Sequence, residues 1–374
     1  MVHVKEKNKQ RKPMRSILFT KMLVGFIVAA CFSISYYATL NEKVVDKSPA
    51  MMATQSSSSS ALSIPPKLES GWDEKGRNFY EASVLKLSTI GAKNVTIYNR
   101  GNVFVSNDEG NNAQFWRMAA HGGWERRTFE IFKKYITSDT TVVDFGTWIG
   151  PTLLYHGQYS KRSLGIEADP VAYSVAEYNV DLNKKLNPEW GRRVSVESAC
   201  VSRPEDVGIL TMRAGGRNGG GGAGQSMSGI SEKVFQDLGD KAASWQVQCY
   251  TLPDIFDFWG LDKPYKDVFI KIDIESYECK LIPSFYDWLK DETFLPKMFL
   301  NYHSQSIDDC TDEEWKGLLK VLKLYDHVTI NGDRTVLELD KKTTFKEFIE
   351  KVGKHNPDFV IYQNHHAKAL NLRN

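Results

Sequence analysis

The stretch TVVDFGTWIG (residues 141–150) decides the fold. It begins as an apolar run of strand type that carries Asp144, and Gly146 and Gly150 then allow the backbone to turn and to approach a ligand closely. Pro151 suits the first turn of a helix. A strand, a glycine turn and a helix in this order are typical of nucleotide-binding α/β proteins. The turn lacks the GxGxxG form, so we do not expect it to bind a pyrophosphate.

On the carboxyl side of this stretch, short apolar runs alternate with helical periodicity, which indicates a parallel sheet covered by helices. We predict strands at 141–145, 163–167, 193–199, 267–273, 297–303, 328–331 and 358–363. We predict helices at 123–136, 170–183 and 343–353, and a capping box of Thr311 and Glu314 opens another that runs through Tyr325. The predicted fold class is therefore α/β, a Rossmann-like sheet with helices on both faces.

Two acidic residues accompany the glycine turn. Glu167 ends the second predicted strand, where a carboxylate can accept both hydroxyls of a ribose. Asp144 would repel a phosphate but suits the cationic amino-acid part of a ligand. We expect both side chains on the ligand rim and not in the packed interior. The sequence thus predicts a nucleoside ligand without phosphates.

Four segments occur in an order and spacing that resemble the FkbM-type S-adenosylmethionine-dependent methyltransferases, a branch of the class I methyltransferase fold. They are DFGTWIG (144–150), GIEADPVAYSVAEYNVDLN (165–183), SACVS (198–202) and FIKIDIESYE (269–278), and the resemblance covers about residues 120–305. It implies a seven-stranded sheet of mixed direction, S-adenosylmethionine as cofactor, and O-methylation of hydroxyls on sugars or polyketides.

The resemblance also implies roles for individual residues. Those that would line the methionine part of the cofactor are Asp144, Gly146, Thr147 and Gly150, whereas Glu167 would bind the ribose and Ser198 or Ala199 the adenine edge. Two positions depart from the family pattern. Ser276 stands where glycine is usual, and Asn301 stands where an acid often precedes the histidine, which leaves His303 without that neighbour.

Methyl transfer to a hydroxyl needs an aligned acceptor oxygen and a group that takes its proton. The candidate catalytic residues are Asp273, Glu275 and His303, at the predicted carboxyl ends of the fourth and fifth strands. Asp273 is the best candidate for a polar contact to cofactor or acceptor, and a capping or salt-bridging role for the two acids stays open. His303 is either a general base or a hydrogen-bonded rim residue. Trp124-Glu125 resembles the family's entry helix, where Glu125 would face the cofactor or the solvent.

The N-terminal part differs in composition from the rest. Residues 1–21 carry a local charge of +6, which leaves about −4 (2 − 6) for the remainder, so nucleic acid is not expected as the main partner of the folded part. Residues 22–40 contain no charged side chain and are long enough to span a bilayer. The composition of residues 41–70 is typical of a flexible stalk. We predict that residues 71–137 form an N-terminal extension of the catalytic domain and that residues 138–368 form the FkbM-like methyltransferase domain.

Basic residues before the apolar run place the N-terminus in the cytosol. We therefore predict a signal anchor and a single-pass type II protein of the secretory pathway, in the Golgi or another secretory membrane, with a lumenal catalytic domain. A cleaved signal peptide and the inverted topology stay open. The sequon Asn94-Val95-Thr96 is compatible with a lumenal domain. One disulfide, or burial as thiols, is expected among Cys200, Cys249, Cys279 and Cys310.

Three other features carry weaker predictions. His365-His366 with Asp308-Asp309 has no spacing that fixes a metal geometry, so no metal site is predicted. The aromatic residues that either stack on a sugar or belong to the core are Trp245, Trp259, Tyr265, Trp288 and Trp315. The glycine-rich stretch 215–224 is either a loop over the acceptor or a tolerated insertion.

These observations together predict a membrane-anchored O-methyltransferase that uses S-adenosylmethionine and acts on a hydroxyl-bearing acceptor, a glycan or a small molecule. One alternative is a type II membrane glycosyltransferase, which would need an acidic metal motif, and Asp273-Ile274-Glu275 is a poor version of one. The other is a catalytically inactive, methyltransferase-like binding module, for which Ser276 and Asn301 are the hints.

Overall fold

The computed structural model describes residues 74–107, 111–213, 243–275, 277–302, 310–352 and 357–366. The predicted anchor 22–40, the stalk 41–70, the glycine-rich stretch 215–224, Ser276 and His303 lie outside the described residues. Within these ranges, no helix combines the length and the apolar character that a membrane crossing requires.

The N-terminal extension consists of helices and one hairpin. Its elements are α1 (Glu74–Thr89), β1 (Ala92–Ile97), β2 (Arg100–Ser106), α2 (Asn111–Ala120) and α3 (Arg126–Tyr135). Strands β1 and β2 pair antiparallel through a two-residue turn, where Tyr98 and Asn99 have φ of 47° and 55°. Two positive φ values match the twist that a tight hairpin needs, and asparagine tolerates them well.

The main domain alternates strands and helices, as the sequence predicts. Its first half contains β3 (Thr141–Phe145), α4 (Pro151–His156), β4 (Arg162–Glu167), α5 (Pro170–Leu186), α6 (Pro188–Gly191), β5 (Val194–Ser198), β6 (Cys200–Val201) and β7 (Gly208–Arg213). Its second half contains β8 (Ser244–Tyr250), α7 (Leu252–Phe258), β9 (Val268–Ile272), α8 (Glu278–Leu289), β10 (Lys297–Asn301), α9 (Asp312–Leu322), β11 (His327–Ile330), β12 (Thr335–Val336), α10 (Phe345–Val352) and β13 (Asp358–Tyr362).

Eight strands form the main sheet in the order β12-β11-β13-β10-β9-β3-β4-β5. β3, β4, β5, β9 and β10 run parallel, whereas β13 is antiparallel to both β10 and β11. The strand order reverses at β3, because the chain first adds β4 and β5 on one side and later β9 on the other. The carboxyl ends of strands at such a reversal form the crevice where α/β sheets bind ligands.

One detail of the predicted sheet and one helix boundary are wrong. The sheet has eight strands and not seven, because the two-residue strand β12 pairs with the end of β11. The helix opened by the Thr311 capping box is present, but it ends at Leu322 and not at Tyr325. The box itself is confirmed, since the Thr311 hydroxyl accepts from the Glu314 N–H and the Glu314 carboxylate accepts from the Thr311 N–H.

The sheet separates two hydrophobic clusters, one on each face. Alternation along β3 places Val143 and Phe145 in one cluster and Val142 in the other. Asp144 has the same parity as Val142, so its side chain lies on that second face. Helix α5 covers the same face with Val175, as its apolar periodicity predicts.

A small second sheet, in the order β6-β8-β7, follows β5. Cys200 of β6 and Cys249 of β8 are register partners and form a disulfide with a Cα–Cα distance of 4.5 Å. A second disulfide joins Cys279 of α8 to Cys310, with a Cα–Cα distance of 5.6 Å. The sequence left open one disulfide or burial as thiols, whereas the structure pairs all four of these cysteines.

Candidate functional site

The turn after β3 is held in a strained backbone conformation. Gly146, Trp148 and Gly150 have φ of 76°, 50° and 89°. The N–H groups of Gly146 and Thr147 both donate to the Ile166 carbonyl, at 3.0 and 3.3 Å, which fixes the turn against the end of β4. Non-glycine residues with positive φ are uncommon in proteins as a whole, and those that occur cluster at active sites and ligand sites.

Gly146 is required by close packing as well as by its φ. A Cβ at this position would lie 1.8 Å from the carbonyl oxygen of Asp273. The glycine therefore lets the turn after β3 contact the loop after β9. These two loops are the neighbours between which a ligand at the strand reversal would lie.

Glu167 occupies the predicted place at the end of β4. Its carboxylate accepts from the Trp148 N–H at 2.7 Å and from the Asp169 N–H at 2.8 Å, one bond to each oxygen. Glu167 is 8% exposed. Burial, together with the negative charge of Asp169, raises the pKa of Glu167 to about 7. Each carboxylate oxygen has two lone pairs, so acceptor capacity remains on both for a diol.

Asp144 does not lie on the rim, and that prediction is wrong. It is fully buried, and its Oδ2 accepts from the Thr152 hydroxyl at 2.6 Å and contacts His156 Nε2 at 3.2 Å. Its Oδ1 lies 3.1 Å from the Lys271 ammonium. Burial raises the pKa of the Asp144 carboxyl, but Lys271, His156 and Thr152 together outweigh it, so the pKa lies below its usual value. The carboxylate thus turns inward because a buried cation attracts it there.

His156 is the neutral member of this buried group. Burial lowers the pKa of His156 below its usual value, and its Nδ1 lies 2.8 Å from the Ser163 hydroxyl. A neutral imidazole has one donor and one acceptor nitrogen. Donation from Nε2 to Asp144 and acceptance at Nδ1 from Ser163 satisfy both.

Asp273 lies directly after β9, at the predicted edge of the sheet. Its N–H donates to the Phe145 carbonyl at 3.2 Å, and its Oδ2 lies 3.5 Å from the Lys271 ammonium. The Asp273 side chain is 13% exposed, so it reaches the surface of the crevice. Glu275 follows with a positive φ of 51°, a second strained position at this edge.

Glu278, the first residue of α8, has no role predicted from the sequence. It is fully buried, and its carboxylate accepts from the Ile274 N–H at 2.9 Å. It therefore closes the loop that carries Asp273 and Glu275. An acid in the first turn of a helix is a recognisable signal, because it offsets the positive helix end.

The predicted adenine edge lies beside Glu167. The Ala199 N–H donates to the Glu167 carbonyl at 3.2 Å, and Ala199 is fully buried. The buried Ser198 hydroxyl has no hydrogen-bond partner among the residues that the structure describes. Cys200, which follows Ala199, is held by its disulfide.

Aromatic side chains cover the amino side of the site. The ring centroid of Phe115 lies 4.9 Å from that of Trp124 and 4.6 Å from that of Trp148, and the centroids of the two tryptophans are 6.3 Å apart. Glu125 has φ of 40°, and its charge raises the pKa of Lys271. The sequence singled out Trp124 and Glu125 but missed Phe115, because nothing in the local pattern links α2 to the glycine turn.

The predicted sugar-stacking residues belong to the core. Four of them are at most 8% exposed, namely Trp245, Trp259, Tyr265 and Trp315. The fifth, Trp288, packs on Tyr265 and Phe256. Asn301 ends β10 and pairs in register with Asp358.

The histidine pair lies away from the glycine turn. His365 Nε2 lies 2.9 Å from His366 Nε2, and His366 also contacts the Lys266 carbonyl oxygen at 2.6 Å. Asp308 and Asp309 lie outside the described residues. In the described part of the chain, no three His, Cys, Asp or Glu side chains come together in a way that could hold a metal ion.

Comparison with known proteins gives one local similarity in sequence. No family model matches the chain. Ribosomal protein L11 methyltransferase of Alkaliphilus oremlandii is 32% identical over 130 residues, and the match covers 32% of this chain and 38% of that protein. The chain thus matches well under half of the relative's length.

Solved structures of low sequence identity are also similar. Methyltransferase FkbM from Methylobacillus flagellatus has 13% identity and a TM-score of 0.32, and the match covers 78% of this chain and 61% of that chain. An O-methyltransferase from Bacillus cereus in complex with S-adenosylhomocysteine has 10% identity and a TM-score of 0.32, over 81% of this chain and 94% of that chain.

The fold is α/β, with a mixed eight-stranded main sheet. A sheet of mixed direction, with β13 antiparallel between β10 and β11, agrees with what the resemblance to the FkbM-type family implies. The glycine turn after β3 and the acid at the end of β4 lie side by side at the reversal of strand order. The predicted α/β fold class is confirmed.

Proposed function

We propose that this protein is an S-adenosylmethionine-dependent methyltransferase that methylates a hydroxyl group. The observation that carries the proposal is the Glu167 carboxylate, held between the Trp148 and Asp169 N–H groups at the end of β4. Its remaining acceptor capacity fits a ribose, which presents two neighbouring hydroxyl donors.

The charge of the site favours a cationic cofactor over a phosphate ligand. The single positive charge of Lys271 lies between two carboxylates, Asp144 and Asp273, and Glu167 adds a further acid at the crevice. Acidic walls repel a nucleoside diphosphate and attract a sulfonium and an ammonium group. This distribution supports a methyltransferase in preference to a glycosyltransferase that binds a nucleotide sugar.

The residues present fit the parts of the cofactor in order. Glu167 would hold the ribose, Ser198 or Ala199 the adenine edge, and the turn Gly146–Gly150 with Asp273 the methionine end. When bound, the cofactor supplies an electrophilic methyl group. The chain's own part is to orient the acceptor hydroxyl and to take its proton, for which Asp273, Glu275 and His303 stay the candidates.

The acceptor and the cellular setting are further parts of the proposal. The family resemblance supports a sugar or another hydroxyl-bearing small molecule as acceptor. Two disulfides are typical of proteins that fold in an oxidising compartment, and Asn94 of the sequon is exposed on β1. Both observations support a lumenal domain behind the signal anchor predicted at 22–40.

The test is calorimetric titration of the full-length protein with S-adenosylmethionine, with S-adenosylhomocysteine, and with a uridine diphosphate sugar plus manganese. We expect micromolar binding of the two methionine nucleosides and no response to the nucleotide sugar. The reverse pattern would favour the glycosyltransferase. Binding of the nucleosides without methyl transfer to any of a panel of hydroxylated acceptors would favour the inactive binding module.

A further inference from the structure

Lys271 is a buried cation in a strand that otherwise carries only apolar side chains. β9 reads Val-Phe-Ile-Lys-Ile, and Lys271 is 2% exposed. An ammonium taken out of water costs much free energy unless several acceptors surround it. We propose, on the basis of the function proposed above, that Lys271 is a positioning residue that locks the two loops of the cofactor site in place.

The ammonium joins two loops that come from different strands. It donates to the Gly146 carbonyl at 3.0 Å and lies 3.5 Å from the Phe145 carbonyl, in the turn after β3. It also lies 3.5 Å from Asp273 Oδ2, in the loop after β9. These are the same loops that Gly146 allows to touch. One side chain therefore fixes both the turn and the acid across the crevice from Glu167.

Asp144 completes this arrangement from the inside. It is the register partner of Lys271 across β3 and β9, and its Oδ1 lies 3.1 Å from the ammonium. Thr152 and His156 occupy its Oδ2, so Asp144 faces away from the crevice. Its task is to retain the cation. A change at Lys271 would reach the ligand only through Gly146 and Asp273.

Charged groups from several elements surround the ammonium. They are Asp144 of β3, Asp273 after β9 and Glu125 before α3, and the neutral His156 of α4 contacts the other oxygen of Asp144. Burial lowers the pKa of Lys271, but the carboxylates outweigh it and raise the pKa above its usual value. The group therefore stays cationic at neutral pH and can serve as a permanent clamp.

Two roles can be separated by experiment. If Lys271 were only the counter-ion of Asp144, removing both charges together would restore both the stability of the protein and its affinity for the nucleoside. If it positions the loops, the double variant Asp144→Asn/Lys271→Met would regain stability but would still lack the tethers to Gly146 and Asp273. Lys271→Met alone would be destabilised, because it leaves a buried carboxylate without its cation.

The experiment uses full-length wild type, Lys271→Met, Asp144→Asn/Lys271→Met and the control Lys297→Met. Lys297 is also buried, at 8% exposure, but lies at the amino end of β10, away from the crevice. Thermal unfolding measures stability, calorimetry measures binding of S-adenosylhomocysteine, and amide hydrogen exchange reports on segments 145–150 and 273–275.

In the double variant we expect wild-type stability, an affinity for S-adenosylhomocysteine lowered about 10- to 100-fold, and faster exchange in both segments. The control should keep its affinity and its exchange pattern in these segments. Wild-type affinity or unchanged exchange in the double variant would overturn the positioning role. If wild type itself fails to bind the nucleoside, the proposed function fails, and the exchange of the two segments still decides the role of Lys271.

Discussion

The raised pKa of Glu167 predicts that cofactor binding depends on pH in a defined direction. Burial raises this pKa to about 7 from the 4.5 of a free side chain. A ribose donates hydrogen bonds, so it favours the ionised carboxylate, which accepts on both oxygens. Binding should therefore strengthen as pH rises through 7 and should release a proton.

The magnitude follows from the fraction that is ionised. With a pKa of about 7, the carboxylate is about 9% ionised at pH 6 and about 91% at pH 8. If only the ionised form binds, the affinity rises about tenfold over this range. The same shift makes the ligand-free protein lose stability as the pH rises from about 4.5 to about 7, and the loss remains above pH 7, because the folded state holds the proton more tightly than the unfolded state.

The assay is titration of S-adenosylhomocysteine into wild type and Glu167→Gln at pH 6, 7 and 8, in two buffers of different ionisation enthalpy. The ligand titrates identically with both proteins, so the ratio of the two dissociation constants isolates Glu167. We expect Glu167→Gln to bind more weakly, and the ratio of its dissociation constant to that of wild type to rise about tenfold from pH 6 to pH 8.

Glu197→Gln is the matched control, since this acid lies on the neighbouring strand β5, opposite Ile166 in register. Burial also raises the pKa of Glu197, but its charge neighbour is Glu177 of α5. Its substitution should leave the pH dependence unchanged. A constant ratio for Glu167→Gln, or one that falls with pH, would refute the assignment of this carboxylate to the ligand.

Three further predictions concern the backbone, the disulfides and the topology. Gly146→Ala should abolish nucleoside binding and lower the melting temperature, because the added Cβ would collide with the carbonyl oxygen of Asp273. The control is Gly260→Ala, where φ is 60° and the added Cβ meets open space, so the free energy of unfolding should fall by only about 1–2 kcal/mol. Replacing Cys279 and Cys310 together by serine should lower the free energy of unfolding by about 2–4 kcal/mol in denaturant titrations, and an unchanged midpoint would contradict the pairing. If the domain is lumenal, the full-length protein from secretory cells should lose mass with peptide-N-glycosidase, and Asn94→Gln should remove that response.

The central strands were predictable because they are buried on both faces. The runs at 141–145 and 267–273 contain no alternation, and the structure places β3 and β9 there with nearly the same bounds. The cap of α5 was equally local. Pro170 begins the helix, and Asp169 accepts from the N–H groups of Val171 and Ala172.

The environment of Asp144 was not predictable from local sequence. Its partner Lys271 lies 127 positions later (271 − 144), and only the register of β3 with β9 brings the two together. An acid next to a glycine turn therefore looked like a ligand contact. The disulfide partners are a similar case, since spacing alone does not determine which cysteines meet.

The position of β13 bears on how the polypeptide folds during its synthesis. β13 is formed by residues 358–362, yet it lies in the interior of the sheet between β10 and β11. Until these residues leave the ribosome or the translocation channel, both neighbours expose unpaired backbone edges, which invite aggregation. A premature stop codon that removes only residues from 357 onward would thus leave a gap in the middle of the sheet. We expect chaperones to engage the nascent chain at this stage, and chains truncated here to be cleared by quality control.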